Sequence, residues 1–201
     1  MALFHRATIT PSKEEIVAAH LGAPIDPVGA FRFDDPDGRV GMETFLVRTG
    51  EDGVLHQVPL TYRDEPLAGA PEGALLSEME HSVLGRRWVY DGLHDPVYAL
   101  MLAAVTMTGQ GEALGMAVYE GRWYIAPTNV RIAGGGWTLE RVPVDGFELV
   151  SREDDVAVLR NDRFELTLFR RPSAGPRPPI ALTATWAGQA DPVVLAEVRE
   201  R

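Results

Sequence analysis

The chain has 201 residues, of which 45% are hydrophobic and 24% charged, and its formal net charge is −10. This composition is that of a globular protein, and the acidic charge argues against nucleic acid and anionic membranes as partners. There is no cysteine, which excludes disulfides, zinc–thiolate sites and cysteine nucleophiles. The first residues lack the charged start and long apolar run of a signal peptide, so we expect a cytoplasmic protein.

The first predicted helix covers residues 11–21. Thr10 suits the N-cap, and Pro11 suits the first helical position, where a missing N–H costs nothing. Gly22 is placed to end the helix, because glycine readily adopts the left-handed conformation of a C-cap.

Extended segments dominate the rest of the first half; they are predicted at 28–33, 39–48, 54–63 and 86–91. Gly50 and Gly53 lie between the segments 39–48 and 54–63 and favour a hairpin that joins them. Pro59 cannot donate to a ladder, so this strand should have an edge or a bulge at that position. The segment 75–83 fits a strand and a short helix equally well.

A second helix is predicted from Asp95-Pro96 to Met107. Asp95 suits the N-cap and Pro96 the first helical position, while Thr108-Gly109 ends the segment. The run is apolar on nearly all sides, so we expect a long, well-buried helix.

The second half is predicted to be β-structure. Its extended segments cover 112–119, 122–132, 137–144, 147–150, 156–160, 164–170, 180–186 and 192–198. Hairpins are predicted around Glu120-Gly121, through Asn161-Asp162 and between the last two segments. Gly134-Gly135-Gly136 precedes no Gly-Lys-Ser/Thr and no helix, so it is neither a phosphate loop nor a dinucleotide fingerprint, and we interpret it as a flexible turn.

These elements predict an α+β fold. A curved antiparallel sheet packs on the long buried helix, with the short N-terminal helix beside it and a C-terminal antiparallel β-meander extending or flanking the sheet. The glycine run suggests a boundary between residues 1–133 and 134–201, either as two domains or as two parts of one core.

The sequence offers no recognisable catalytic centre, metal site or cofactor site. No serine lies in a Gly-x-Ser-x-Gly elbow. His81 and His94 are 13 positions apart, and no pair of histidines has the spacing of metal ligands on one helix or strand. The paired carboxylates lie in loops or in a first helical turn, where solvent exposure is the ordinary outcome. We therefore expect a protein without catalytic residues, metal or cofactor.

The segment 80–96 carries the most distinctive chemistry. On a strand, Arg86, Trp88 and Tyr90 share one face, and such a mixture suits a sugar ring, an anion or a protein contact. The competing interpretation is an aromatic core wedge with arginine–aspartate pairs joining strand to helix. The candidate residues for binding a ligand or partner are His81, Arg86, Arg87, Trp88, Tyr90, Asp91 and His94.

Three features resemble the N-terminal cap of bacterial maltokinases over roughly residues 3–125: the strand HQVPLTYR (56–63), the turn WVYDG (88–92) and the helix from Asp95. The stretch MEHSVLGRRWVYDG is similar to the signature of short stand-alone cap-like proteins. Maltokinases phosphorylate maltose in the route from trehalose to α-glucans such as glycogen, so the resemblance implies a link to that metabolism.

The sequence departs from a kinase in its residue inventory. In the strand 166–171, Thr167 stands where the resemblance implies the ATP-binding lysine, and the only lysine is Lys13 in the first helix. His94 and Asp95 are adjacent and open a helix, so they form no catalytic loop. We therefore predict that the chain does not transfer phosphoryl groups.

Three functions remain open. The first is a non-catalytic accessory or regulatory protein that binds an enzyme of trehalose or α-glucan metabolism. The second is a module that binds an oligosaccharide or sugar phosphate through Arg86, Arg87, Trp88 and Tyr90. The third is an enzyme built on the cluster of His81, Asp91 and His94. The oligomeric state is open as well.

Overall fold

The computed structural model describes residues 2–4, 6–136 and 141–201, and in these ranges the fold is a β-rich α+β arrangement of three sheets and two α-helices. The helices are α1 (Lys13–Leu21) and α2 (Pro96–Thr108), with a 3-10 turn at Gly92–His94. The strands are β1 (Ala2–Phe4), β2 (Ile9–Thr10), β3 (Asp26–Phe33), β4 (Gly41–Thr49), β5 (Val54–Arg63), β6 (Leu75–His81), β7 (Gly85–Asp91), β8 (Gly115–Tyr119), β9 (Arg122–Ile125), β10 (Val130–Gly134), β11 (Glu148–Arg152), β12 (Val156–Arg160), β13 (Phe164–Phe169), β14 (Ala181–Trp186) and β15 (Gln189–Glu200).

The first sheet has the order β2-β6-β7-β5-β4-β3, with all neighbours antiparallel. The predicted β4–β5 hairpin is confirmed, and the ambiguous segment 75–83 contains the strand β6. Residues 42–47 of β4 are buried without interruption, because α1 covers one face of the sheet and α2 the other. Successive side chains therefore enter different cores: Phe45 and Val47 pack with Ile16 and Val17 of α1, and Leu46 packs with α2.

The start of α1 differs from the prediction. The N-cap is Ser12 rather than Thr10: its hydroxyl accepts from the Glu15 N–H at 3.2 Å, and the Glu15 carboxylate accepts from the Ser12 N–H at 2.7 Å. This reciprocal capping box satisfies two donors that a threonine two residues earlier cannot reach. The predicted end is confirmed, since Gly22 adopts the left-handed conformation with φ of 66°.

A buried carboxylate ties α1 to the first sheet. Glu43 of β4 contacts the ammonium of Lys13 and accepts from the Arg32 guanidinium at 3.2 Å and from the Tyr62 hydroxyl at 3.4 Å. Burial by itself raises the pKa of Glu43, but the charges of Lys13 and Arg32 overcome that effect and hold the pKa below its ordinary value. The single lysine of the chain therefore pairs with a structural carboxylate.

Pro59 lies at a local edge of the sheet, as predicted, and no bulge accompanies it. β5 is a central strand between β4 and β7, and its register with β4 runs without a bulge. The missing N–H is tolerated because β7 pairs with β5 only as far as Leu60, which lies opposite Asp91. Beyond that point Pro59 has no β7 neighbour to bond, so it behaves as an edge position inside a central strand.

The second sheet has the order β10-β14-β15-β13-β12-β11, so the predicted simple meander is wrong. The β12–β13 and β14–β15 hairpins lie where predicted. However, β13 pairs with β15 and not with β14, its successor along the chain. β15 is buried continuously from Val193 to Val198, and a strand with no exposed face there belongs in the middle of a sheet rather than at its edge.

α2 lies between the two sheets. Asp95 caps it as predicted, accepting from the Val97 N–H at 3.0 Å, and Pro96 begins the helix. The helix packs mainly on β10, β14 and β15, and it contacts the first sheet through β3 and through β4, where the Thr44 and Tyr98 hydroxyls lie 2.7 Å apart. The prediction instead placed it within the curve of the first sheet. Its buried side chains share one core with both sheets: Tyr98, Ala99, Leu102, Ala103, Val105 and Met107.

The glycine run is a packing feature and not the predicted flexible turn. The amide groups of Gly134, Gly135 and Gly136 donate to the carbonyls of Gln110, Ala181 and Thr106 at 2.7–2.9 Å. A Cβ on Gly134 would lie 1.9 Å from the carbonyl oxygen of Val105, and one on Gly136 would lie 2.5 Å from the Cα of Met107. Only glycine lets this segment approach the backbone of α2 so closely.

The third sheet is small and has the order β1-β8-β9; β8 pairs in parallel with β1 and in antiparallel with β9. The predicted hairpin around Glu120-Gly121 is confirmed, but its second strand ends at Ile125, and β10 joins the second sheet. Of the predicted segment 137–144, residues 137–140 lie outside the described residues and 141–144 form no strand. Neither described helix has both the length and the apolar character needed to cross a membrane.

Candidate functional site

A narrow cleft opens where the first sheet meets the second. Its enclosed volume is about 10 Å³, which is room for one water molecule. It is lined by His20, Leu21, His56, Gln57, Val58, Pro59, Asp91, Leu93, Arg152 and Arg170.

The cleft exists because β7 leaves the first sheet at Asp91. Pro59 offers no N–H for further pairing, and the chain turns into the 3-10 turn, where the Asp91 Oδ1 accepts from the Leu93 N–H at 3.1 Å. Gly92 makes the turn possible, since a Cβ there would lie 3.0 Å from the Cβ of Pro59 and 3.2 Å from the Tyr98 ring. The edge of β5 vacated by β7 faces the second sheet, and the Gln57 N–H donates to the carbonyl of Arg170 at 2.8 Å.

Asp91 is 2% exposed and carries the negative charge of the cleft. Its Oδ2 lies 2.9 Å from an Arg152 nitrogen, which makes an ion pair, but the geometry does not meet that of a hydrogen bond. The same Arg152 nitrogen lies 3.1 Å from the Nε2 of His20. Asp91 Oδ2 thus has a charge partner and no hydrogen-bond donor.

Gln57 is the second unsatisfied group. It is 2% exposed, and neither its amide nitrogen nor its amide oxygen has a hydrogen-bond partner. A buried amide left unpaired costs about 1–3 kcal/mol, and side chains of this kind ordinarily have a partner. The enclosed space beside this amide has room for one water molecule, which can supply a hydrogen bond to it.

Arg170 supplies the uncompensated positive charge. Its guanidinium donates to the carbonyl of Glu153, and it forms no ion pair within the part of the chain that the structure describes. Burial and the neighbouring charge of Arg152 lower its pKa, while Asp91 and Asp154 act in the opposite direction. With Arg152 paired to Asp91, the cleft retains about one net positive charge in a protein of net charge −10.

His20 acts as an acceptor. Burial is the main cause that lowers the pKa of His20, and the charges of Arg152 and Arg170 add to it against the opposing charge of Asp91. Since Arg152 donates to Nε2, the ring is neutral and carries its proton on Nδ1. His56, held by the Thr49 hydroxyl at 2.8 Å, also has a lowered pKa, through burial and through Arg171 and Arg170.

We expect the free energy of unfolding to fall as the pH is lowered below about 6.5. His20 and His56 titrate near 6.5 when unfolded and lower in the folded protein, so the unfolded chain takes up protons first and is favoured. Urea denaturation at pH 7.5, 6.5 and 5.5 measures this loss. The His20→Gln variant, which keeps an acceptor for Arg152 but does not titrate, should show a shallower slope; an unchanged slope would contradict the role given to His20.

The structure divides the predicted site residues among separate places. His81 lies in the β6–β7 turn, where its Nδ1 accepts from the Val83 and Leu84 N–H groups at 3.2 and 3.1 Å. His94 lies beyond the other end of β7, about 20 Å away by the rise of the strand. The cluster of His81, Asp91 and His94 is therefore not assembled.

The strand face of Arg86, Trp88 and Tyr90 is also divided. Arg86 is exposed, pairs with Glu78 and lies 5.3 Å from the centre of the Trp88 ring. Arg87 is half-buried beside it, with its guanidinium donating to the carbonyl of Arg86. Tyr90 is buried, and its hydroxyl accepts from the Leu67 N–H at 2.9 Å.

His94 lines a second, more open cleft with Pro71, Pro96, Phe147 and Glu148. Asp95 also borders it, but both oxygens of that carboxylate are engaged by Arg63 at 2.7 and 2.8 Å. Within the described residues, no group of three or more histidine, aspartate or glutamate side chains is placed to hold a metal ion.

Of the residues that form the first cleft, the sequence interpretation selected only Asp91. His20, Gln57, Arg152 and Arg170 were missed, because they come from four elements separated by up to 150 positions along the chain. A glutamine two residues before a strand proline was the available signal. Backbone nitrogens two residues apart in a strand point to the same side, so the edge at which Pro59 offers no donor is the edge at which the Gln57 N–H is left for another partner.

Most of the segment that forms the first sheet, except β2 and the start of α1, resembles a known domain family. Residues 18–95 match the family model of the maltokinase N-terminal cap domain. The predicted resemblance is therefore confirmed over that range. The matched cap-like segment runs from α1 to the cap of α2 and contributes His20, His56, Gln57 and Asp91 to the cleft, whereas Arg152 and Arg170 lie outside it. No curated protein sequence matches the chain at a significant level.

Proposed function

We propose that this protein is a non-catalytic accessory or regulatory protein of maltokinase-linked metabolism, the cytoplasmic route that joins trehalose to α-glucans such as glycogen. The match of residues 18–95 to the maltokinase cap carries this proposal. We further propose that residues 1–133 are the cap-like domain and that 134–201 are a β-rich extension that shares its core.

The side chains support a role without catalysis. The only lysine, Lys13, pairs with the buried Glu43 and also lies 5.1 Å from the centre of the Tyr62 ring. Thr167, at the position where the resemblance implies an ATP-binding lysine, lies in β13 within the second sheet. The His94-Asp95 pair is used to start a helix, with Asp95 bound by Arg63. None of these groups is placed to bind ATP or to accept a proton from a sugar.

The arm formed by β8 and β9 is the surface at which we expect the partner enzyme to bind. Val118 and Trp123 lie opposite each other on one face, and Tyr124 lies on the other. Trp123 is 59% exposed and Ile125 74%. The exposed apolar side chains of the arm, together with the residue that precedes it, are Leu114, Val118, Tyr119, Trp123, Tyr124 and Ile125.

The area of the arm fits a protein partner. A fully covered aromatic side chain buries roughly 150–250 Å². The six partly exposed side chains therefore offer several hundred Å² over both faces of the arm, which is a part of the roughly 800 Å² that each partner buries in a standard interface. Val118, Trp123 and Ile125 share one face, whereas Tyr119 and Tyr124 lie on the other, so a partner that covers the arm must contact both faces.

Binding is tested with purified maltokinase and purified enzymes of trehalose and α-glucan metabolism. We expect saturable binding to one of them by biolayer interferometry, and a change in its rate, while the protein alone releases no ADP from ATP and maltose. ADP release by the protein alone, or no binding to any of these enzymes, would overturn the proposal.

The contact surface is tested with matched charge substitutions. Trp123→Glu should weaken binding at least 10-fold, because a carboxylate in a desolvated contact is costly. Val83→Glu, at an equally exposed apolar position in the β6–β7 turn, is the control and should leave affinity unchanged. The reverse pattern would place the contact at that turn and contradict the assignment to the arm.

The alternative function, an oligosaccharide or sugar phosphate bound by Arg86, Arg87, Trp88 and Tyr90, has less support. Burial of Tyr90 removes one of the two rings from the surface, and Glu78 already occupies Arg86.

A further inference from the structure

We infer that the free edge of β9 pairs with β9 of a second copy of this chain, so that two three-stranded sheets join into one sheet across a twofold axis. The inference goes beyond the accessory role proposed above. That role uses the side chains on the faces of the arm, whereas this contact uses the backbone edge of β9 and needs no enzyme.

The outer edge of β9 is open. β9 pairs with β8 on one side and has no strand on the other within the described residues. All of its residues are exposed. It contains no proline or lysine, and its register with β8 has no bulge. The strand therefore lacks several of the features that ordinarily protect an edge from pairing with another chain.

The hydrogen bonds between β8 and β9 show which backbone groups are left over. The Ala126 N–H donates to the Gly115 carbonyl at 2.9 Å, and every second residue of a strand directs its N–H and C=O to the same side. Tyr124 therefore also faces β8. Trp123 and Ile125 direct theirs away from β8, so the edge offers two donors and two acceptors.

These groups are complementary to those of an identical edge. In an antiparallel pair of β9 strands centred on Tyr124, Trp123 of each copy lies opposite Ile125 of the other. Each such pair exchanges two hydrogen bonds, so all the outward groups of both strands are used. A register centred on Ile125 instead places Trp123 opposite Pro127, which has no N–H. One centred on Trp123 places Ile125 opposite Gly121 in the turn.

The side chains are compatible with this register. Residues directly opposite each other share a face of the sheet, so Trp123 of one copy packs against Ile125 of the other. These are the two most exposed large apolar side chains among the described residues. The two Tyr124 rings meet on the other face. Arg122 lies opposite Ala126, so the pairing places no like charges against each other.

The charge of the arm favours self-association at this place. Residues 114–127 contain one acid, Glu120, and one base, Arg122, and so carry no net charge in a chain of net charge −10. Two copies that meet at this neutral segment bring few charges together. We expect the dimer to become tighter as the ionic strength rises, because salt screens the remaining repulsion between the acidic chains.

Sedimentation velocity of the intact protein, without any enzyme and over a wide range of protein concentrations, tests the assembly. We expect a reversible equilibrium between monomer and dimer. Ile125→Pro should weaken the dimer at least about 10-fold, because each dimer loses two N–H donors while pairing with β8 is kept. Ile125→Ala truncates the side chain but keeps the N–H, so it should weaken the dimer less. A monomer at every concentration, or equal effects of the two variants, would overturn the inference.

Single cysteines test the register, since the chain has no cysteine of its own. The two Tyr124 positions form the non-hydrogen-bonded pair at the twofold axis, where Cα atoms lie about 4.5 Å apart, within the range of a disulfide. Tyr124→Cys should therefore give a disulfide-linked dimer with oxidised glutathione. Arg122→Cys, on the same face of β9, is the matched control: its two copies lie about 13 Å apart along the strands and should not cross-link. Cross-linking at position 122 in preference to 124 would exclude this pairing.

A strand of the partner enzyme is the competing occupant of the edge. It predicts a monomeric protein whose binding to the enzyme is weakened by Ile125→Pro, and that result would overturn the pairing of two copies. A dimer that binds none of the enzymes would support the pairing and contradict only the accessory role. The two proposals therefore fail separately.

Discussion

Replacing Asp95 by alanine should lower the free energy of unfolding by about 3 kcal/mol, because one carboxylate performs two structural tasks. Both of its oxygens accept from the Arg63 guanidinium, at 2.7 and 2.8 Å, and one of them also accepts from the Val97 N–H. Asp95 is fully buried as a side chain, and Arg63 is 18% exposed. Removing the carboxylate uncaps α2 and leaves a mostly buried guanidinium without its partner. Urea denaturation followed by tryptophan fluorescence measures the change.

Two controls separate the tasks of Asp95. Asp95→Asn preserves an oxygen for the cap but not the charge, so its loss should be smaller than that of alanine. Glu165→Ala removes the half-buried partner of the exposed Arg160 and should cost under about 1 kcal/mol, as surface ion pairs do. Equal effects of Asp95→Ala and Glu165→Ala would show that the buried pair does not hold β5 to α2.

Replacing Gly134 by alanine should destabilise the protein by about 3 kcal/mol or more, at the upper end of overpacking effects. The new methyl group would lie 1.9 Å from the Val105 carbonyl oxygen. No side chain can rotate away from this contact, since both the strand β10 and the helix α2 meet there through backbone atoms. The second sheet or the helix must move, and both belong to the central core. Thermal unfolding followed by circular dichroism tests the expectation.

Gly175→Ala is the matched control for Gly134→Ala. A Cβ at Gly175 has no atom within 4 Å, and its backbone is not in the left-handed region. The same chemical change there should leave the midpoint of unfolding within about a degree, or raise it slightly by restricting the unfolded chain. A small change in the midpoint of unfolding at both positions would show that the glycine run is an ordinary turn and not a closely packed segment.

The physical origin of the cleft explains why buried polar groups meet between the two sheets. Pro59 stops pairing between β5 and β7, Gly92 permits the sharp departure of β7, and the second sheet approaches the exposed edge through Arg170. The polar groups at this junction include Gln57 and Asp91, both almost fully buried. Local interruptions of a sheet thus bring together charges that the rest of the fold keeps apart.

The sequence by itself determined the local elements. Hairpins at Gly50–Gly53 and Asn161-Asp162, the cap of α2 by Asp95 and the end of α1 at Gly22 follow from turn and cap chemistry, which acts over a few residues. The resemblance to the maltokinase cap was likewise readable, because it rests on contiguous motifs within 18–95. The capping box Ser12-x-x-Glu15 is also readable from the sequence, but the neighbouring Thr10-Pro11 competes with it as a signal for the start of the helix.

The tertiary structure alone decided the order of strands in the second sheet, the position of α2 and the composition of the cleft. Strand order depends on which strands are covered on both faces, and the hydrophobic pattern of a strand does not specify which other strand pairs with it. The glycine run shows the same limit: whether glycine serves a turn or a close backbone approach depends on what lies opposite, here the carbonyl of Val105. Arg152 and Arg170 have no local signature, because their meeting with Asp91 and Gln57 is a property of two sheets packed at one edge.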